Sequence, residues 1–146
     1  MGINSQVRAW AADQHLQEVT NPVALDVFVG PGDKGAAWAV PAADGSFALS
    51  IRGKTQACAV WARAADPTKI ENFFRKLLEG AARPGVEVSV VKDTRDPGGT
   101  GLIHTLIYSV SGADKARGGF LYTMQVAERS GGAFQASLQA ARFAVP

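Results

Sequence analysis

The sequence predicts one α+β domain spanning residues 1–146. Its elements are a mainly antiparallel sheet of about five to seven strands, a long amphipathic helix at about 67–81, and an N-terminal helix packed on the sheet. Three observations carry this expectation. Several runs alternate apolar and polar residues with period two, as half-buried strands do. One run, Ile70, Phe73, Phe74, Leu77, Leu78 and Ala81, follows helical spacing instead and makes one continuous apolar face. The later runs are joined by short glycine-bearing segments, which favour antiparallel neighbours because a parallel crossover needs about a dozen residues or more.

The chain opens on a helix over roughly 5–19, capped by Ser5, with Ala9, Ala12, Leu16 and Val19 at helical spacing. Asn21-Pro22 reads as an N-cap followed by proline in the first turn, and Gly30 as the stop of a short second helix. The period-two valines Val23, Val27 and Val29 pull the same segment toward a strand. Residues 30–35 are a loop by composition, Ala36–Val40 a short strand, and Asp44-Gly45 a hairpin signal that Pro41 weakens. Phe47, Leu49 and Ile51 then mark a half-buried strand, and Cys58 to Arg63 the next. Asp66-Pro67 caps and starts the long helix, with Thr68 and Glu71 spaced as a capping box. Its polar side, Glu71, Asn72, Arg75, Lys76 and Glu79, is expected to face water. Four strand-like runs finish the chain: Val86 to Val91, Leu102 to Val110, Phe120 to Ala127, and Phe134 to Val145 with Phe134, Ala136, Leu138 and Ala140 on one face. Residues 96–101, 112–119 and 130–132 are the turns between them. An open sheet with helices on one face is favoured over a strongly curved one.

Composition narrows the function classes. The chain has 146 residues, 47% hydrophobic and 19% charged, with a net charge of +2. That balance argues against disorder. No stretch approaches about 18 consecutive apolar residues, so no membrane-spanning helix is expected. The basic residues are interspersed with acidic ones, and without a run of like charge no nucleic-acid partner is expected. The single Cys58 excludes an intrachain disulfide and a multi-thiolate zinc site. The N-terminal Met1-Gly2-Ile3-Asn4-Ser5-Gln6 lacks the basic and apolar regions of a secretory signal. A cytoplasmic protein and an exported one whose signal has been removed both fit.

Candidate chemistry is sparse. Asp96-Pro97-Gly98-Gly99-Thr100-Gly101 is glycine-dense, but a strand follows it and no Gly-Lys-Ser/Thr is present, so a hairpin is expected rather than a phosphate cradle. Cys58 heads an apolar strand, which suits a structural thiol better than a nucleophile. His15 and His104 stand far apart, without the pairing of a zinc site. Asp93 and Asp96 flank Arg95, and Asp13 lies near His15; these are read as surface ion pairs. No catalytic residue, cofactor or metal is assigned.

Cys58-Ala59-Val60-Trp61-Ala62-Arg63-Ala64-Ala65-Asp66, leading to Phe73-Phe74, resembles small uncharacterised exported proteins and lipoproteins of proteobacteria. Phe134-Gln135-Ala136-Ser137-Leu138-Gln139-Ala140 resembles their closing strand, so the likeness covers roughly residues 36–146. The resemblance implies a periplasmic or exported address; it supplies no site residues.

A non-enzymatic binding or accessory domain with a protein partner is therefore the leading expectation, and oligomeric state is left open. The alternative is a small-molecule carrier or enzyme with a cavity between the long helix and the sheet. His104, Tyr108, Tyr122 and Phe74 are its candidate ligand-binding residues, with Phe73, Leu77 and Met124 as further wall. A third class, an immunity or inhibitor protein, differs from the first in needing one tight protein target.

Overall fold

The second and third helices start at their caps, whereas Ser5, expected to cap the first, lies inside it. In the computed structural model, which describes residues 3–42, 45–55, 57–112, 118–132 and 134–143, the first helix is α1 (Ile3–Asp13). It ends sooner than the spacing of Leu16 and Val19 suggests. His15 takes a left-handed conformation (φ 55°), and the N–H groups of His15 and Leu16 reach back to the carbonyls of Ala12 and Ala11, both at 3.0 Å. That Schellman arrangement turns the chain out of the helix, with His15 where glycine is usual. Gln17–Glu18 then form the two-residue strand β1. The second helix, α2 (Pro22–Val29), keeps its cap: Asn21 Oδ1 accepts from the N–H groups of Val23 at 2.9 Å and Ala24 at 3.2 Å. The asparagine and proline outweigh the strand preference of the valines.

Strands β2 (Ala36–Ala42), β3 (Gly45–Arg52) and β4 (Ala57–Ala62) form a meander. Ala43 and Asp44, between the paired Ala42 and Gly45, lie outside the described residues. Pro41 is accommodated because β1 pairs only with Trp38 and Ala39, leaving β2 with a single neighbour at the proline. Helix α3 (Pro67–Glu79) follows, with Asp66 Oδ1 accepting from Thr68 N at 3.0 Å and Lys69 N at 3.1 Å. The aspartate is thus the cap, and Glu71 serves elsewhere than in a Thr68 capping box. Gly80 ends the helix two residues before the spacing does.

From α3 the chain crosses to the far edge and returns through β5 (Val86–Gly98), β6 (Gly101–Gly112), β7 (Gly119–Ala127) and β8 (Ala136–Phe143). The result is one open antiparallel sheet ordered β1-β2-β3-β4-β8-β7-β6-β5. Among the described residues it has eight strands rather than five to seven: β2 to β8 answer to the seven strand-like runs of the sequence, and β1, at two residues, is too short to show a period. Among the described residues three helices accompany it, and α3, at 13 residues, is not a dominant long one. β5 also runs further than Val91: Asp96, Pro97 and Gly98 are paired with β6, and Gly99-Thr100 is the whole turn. The glycine-dense segment is a hairpin. Gly101 sits at φ 91°, and a Cβ there would come within 2.6 Å of Glu128 Oε2.

Register places Leu49, Val60, Leu138, Met124 and Leu106 in one row across β3, β4, β8, β7 and β6. Phe74 and Leu78 of α3 pack on that face with Leu106, Tyr108, Met124 and Val126. Ala11 of α1 packs on the same face with Trp38 and Ile51. The opposite face meets α2, whose Phe28 and Val29 pack on Ala37 and Ala48. Phe134 joins this second cluster, its ring 5.1 Å from Phe28 and 5.4 Å from Trp61. It therefore does not share a face with Ala136, Leu138 and Ala140, since it precedes β8. Among the described residues no helix is long and apolar enough to cross a membrane.

Candidate functional site

Two neighbouring features lie on the face that carries α3, one polar and one apolar. The polar one begins with His104 on β6, paired across the ladder with Arg95 and Val126. Its strand face is otherwise core, so the ring is buried at 7% exposure and both nitrogens need partners. Asp93 of β5 supplies one, with Oδ1 2.7 Å from Nε2. Glu71 of α3 supplies the other, with Oε1 3.1 Å from Nδ1. Ionised carboxylates only accept hydrogen bonds, so the ring satisfies both when it carries two N–H groups, as imidazolium.

Arg75, one helical turn beyond Glu71, ties the two carboxylates together. Its Nε donates to Glu71 Oε2 at 2.9 Å and its Nη2 to Asp93 Oδ2 at 3.0 Å. Arg95 adds a 3.3 Å contact to Glu71 Oε1. Tyr108, two residues along β6, donates to Glu79 Oε1 at 3.1 Å, and Arg75 Nη1 reaches its hydroxyl at 3.5 Å. The hydrogen bonds from His104 and then Arg75 hold the Asp93 carboxyl below the usual aspartate range. Glu71 and then Asp93 raise Arg75 further above its already high value. Burial pushes the Tyr108 hydroxyl up.

A cleft of about 130 Å³ opens beside this cluster, bordered by Thr68, Glu71, Arg95, Leu102, His104 and Glu128. The groups there are engaged with one another: Glu128 Oε2 accepts from Leu102 N at 2.9 Å, and the α3 N-terminus is closed by Asp66. The two carboxylates flank the imidazole rather than converge on a point. Among the described residues no group of three or more His, Cys, Asp or Glu side chains is placed to hold a metal ion.

The apolar feature is a groove of about 180 Å³ on the α1 side of α3. Phe74 and Leu77 form its helical wall, and Leu49, Val60, Tyr122 and Leu138 line the sheet side. Only apolar surface is offered there. Phe73, Leu77 and Val60 are 58%, 57% and 44% exposed. Helical spacing sets Lys69 and Lys76 beyond Phe73 on the outer side of α3, both exposed. Cys58 belongs to the groove as well, half-buried, and desolvation pushes its thiol up, away from the reactive thiolate.

The four expected ligand-binding residues therefore divide between two places. Phe74 and Tyr122 border the groove, and His104 borders the polar cleft. Tyr108 is buried between them, its ring edge-on to Phe74 at 5.7 Å. Met124 is fully buried core. Glu71 and Arg75, assigned to the water-facing side of the helix, point at the sheet instead. Their i, i+4 spacing was the available signal; the partners Asp93 and His104 depend on a long-range register. Asp93 is exposed and ion-paired as expected, but it lies mid-strand and its partners are Arg75 and His104 rather than its neighbour Arg95.

Compared with protein-family models, curated proteins and solved structures, the chain matches none.

Proposed function

We propose that this chain is a non-enzymatic binding domain that takes an apolar side chain of an acidic protein segment into the groove beside α3. The observation that carries this reading is the groove itself, which offers only apolar surface; the exposed Lys69 and Lys76 stand farther round α3, on its outer side, with no carboxylate partner among the described residues. At about 180 Å³ it falls below the roughly 300–1,000 Å³ of small-molecule sites. One large side chain fits that space better than a metabolite does. Carboxylates in the same segment would meet Lys69 and Lys76 and speed the encounter. The polar cluster supports the non-enzymatic part of the reading, because its acids and bases are engaged with each other. In this reading the setting is the bacterial envelope, as the resemblance of residues 36–146 implies, and fractionation of native host cells tests that address.

Isothermal titration with a short peptide of alternating glutamate and leucine tests the groove. The wild-type chain is expected to bind it, with affinity falling as salt rises. Leu77→Asp, a change at an exposed position, is expected to abolish binding without loss of fold. Equal binding by wild type and Leu77→Asp, or none at millimolar peptide, would overturn the proposal.

A further inference from the structure

The sheet ends on β5, a 13-residue strand with one neighbour among the described residues, which leaves a row of its backbone groups unpaired by them. Which groups these are follows from the hydrogen bonds of β6. Leu102 turns its backbone to β7: its carbonyl accepts from Glu128 N at 3.0 Å and its N–H donates to Glu128 Oε2 at 2.9 Å. Antiparallel strands alternate residue by residue in the side to which they bond. The β5 partner of Leu102, Pro97, therefore faces outward, and so do Arg95 and Asp93. Proline belongs there, since its missing N–H takes nothing from the β5–β6 ladder.

Edge strands usually carry charge to repel other strands, and a bulge at Val91 adds to that defence here. The order of charge on β5 is nonetheless its own complement. In Lys92-Asp93-Thr94-Arg95-Asp96, rotation about Thr94 sets Lys92 opposite Asp96 and Asp93 opposite Arg95. The parity agrees as well. Asp93 and Arg95 share the face that carries α3, while Lys92, Thr94 and Asp96 share the other. Lys92 and Asp96 are exposed and have no ion-pair partner among the described residues. The charges that turn away an arbitrary strand thus suit a second β5 running antiparallel.

We infer that β5 pairs with β5 of a second copy about a twofold axis at Thr94, joining two sheets into one. Outward-facing Asp93 and Arg95 exchange backbone hydrogen bonds with Arg95 and Asp93 of the second chain. Lys92 and Asp96 form the two cross-strand ion pairs on the face away from α3. The contact is isologous and closes on itself, so it makes dimers and not fibres. A single strand pair at a sheet edge is a contact of the weak, transient kind, so its dissociation constant is expected between micromolar and millimolar.

Sedimentation velocity of the full chain from micromolar to millimolar concentration tests this. A dimer is expected whose dissociation constant rises about tenfold in Lys92→Glu or in Asp96→Lys, where two symmetry-related pairs become like-charged. The double variant Lys92→Glu/Asp96→Lys is expected to restore it. With Cys58→Ser, Thr94→Cys is expected to cross-link two chains under mild oxidation, because opposed residues of a non-hydrogen-bonded pair lie about 4.5 Å apart, inside the disulfide range. A chain that stays monomeric to millimolar concentration overturns the inference. A dimer indifferent to either reversal, or one not restored by the double change, overturns it equally.

Discussion

Strands β2 and β3 are covered on both faces, by α1 and α2, whereas β6 and β7 carry α3 on one face and, among the described residues, no helix on the other. The side chains record the difference. Under α2 lie Ala37 and Ala48, small enough for Phe28 and Val29 to approach the strands closely. On the same face further along, register places Thr105, Thr123, Gln125 and Ser137. There Gln125 Nε2 donates to Thr105 Oγ1 at 3.4 Å. A strand that alternates small and large apolar residues is sandwiched, and one that alternates apolar residues with threonine and glutamine is covered once. The two edges differ in the same spirit: β1 has two residues, and β5 has thirteen.

The largest effect is expected where α3 meets the sheet. Met124→Ala, at a fully buried site, should cost about 2–5 kcal/mol in urea unfolding. A cost near zero would mean that α3 does not seal this core. The comparison between the halves is sharpened by one change made twice. Ala37→Leu should destabilise by about 1–3 kcal/mol, since the added atoms have no room beneath α2. Thr123→Leu, on the same face in the other half, should stay within about 0.5 kcal/mol. Similar costs at both sites would erase the distinction.

The polar cluster gives smaller effects. His104→Leu leaves Glu71 and Asp93 without their shared donor and should cost about 1 kcal/mol. That is well short of the roughly 3–5 of a fully buried pair, because Arg75 stays on both carboxylates and water reaches them. Asp93→Asn tests the pH dependence. The Asp93 carboxyl is held low in the folded chain, so its contribution is present above the unfolded aspartate value of about 4 and is lost as pH falls through the folded value. Urea midpoints of wild type and Asp93→Asn should therefore converge in acid. A gap that stays constant from neutral pH to pH 3 would assign the Asp93 contribution to something other than its charge.

Local chemistry was legible in the sequence. Asn21-Pro22 and Asp66-Pro67 name their helices, and the alternation in β6 and β7 names their core faces, because caps and pleats act within a few residues. The end of α1 was not legible, since it rests on a histidine in a conformation that glycine usually takes. Nor was the polar cluster. His104 could be seen to need partners, but Glu71 and Asp93 lie 33 and 11 residues before it and meet it only once α3 crosses the sheet. The groove was half visible: Phe74, Leu77 and Tyr122 stood among its expected walls, while Val60 and Leu138 passed for ordinary strand core.

Methyl NMR titration with the glutamate–leucine peptide puts the central claim to its most direct test. The methyl signals of Leu49, Val60, Leu77 and Leu138 should move with peptide concentration, while those of Ile103 and Ile107 on the opposite face stay in place. Movement confined to Ile103 and Ile107, or spread evenly over both faces, would contradict the groove as the binding surface.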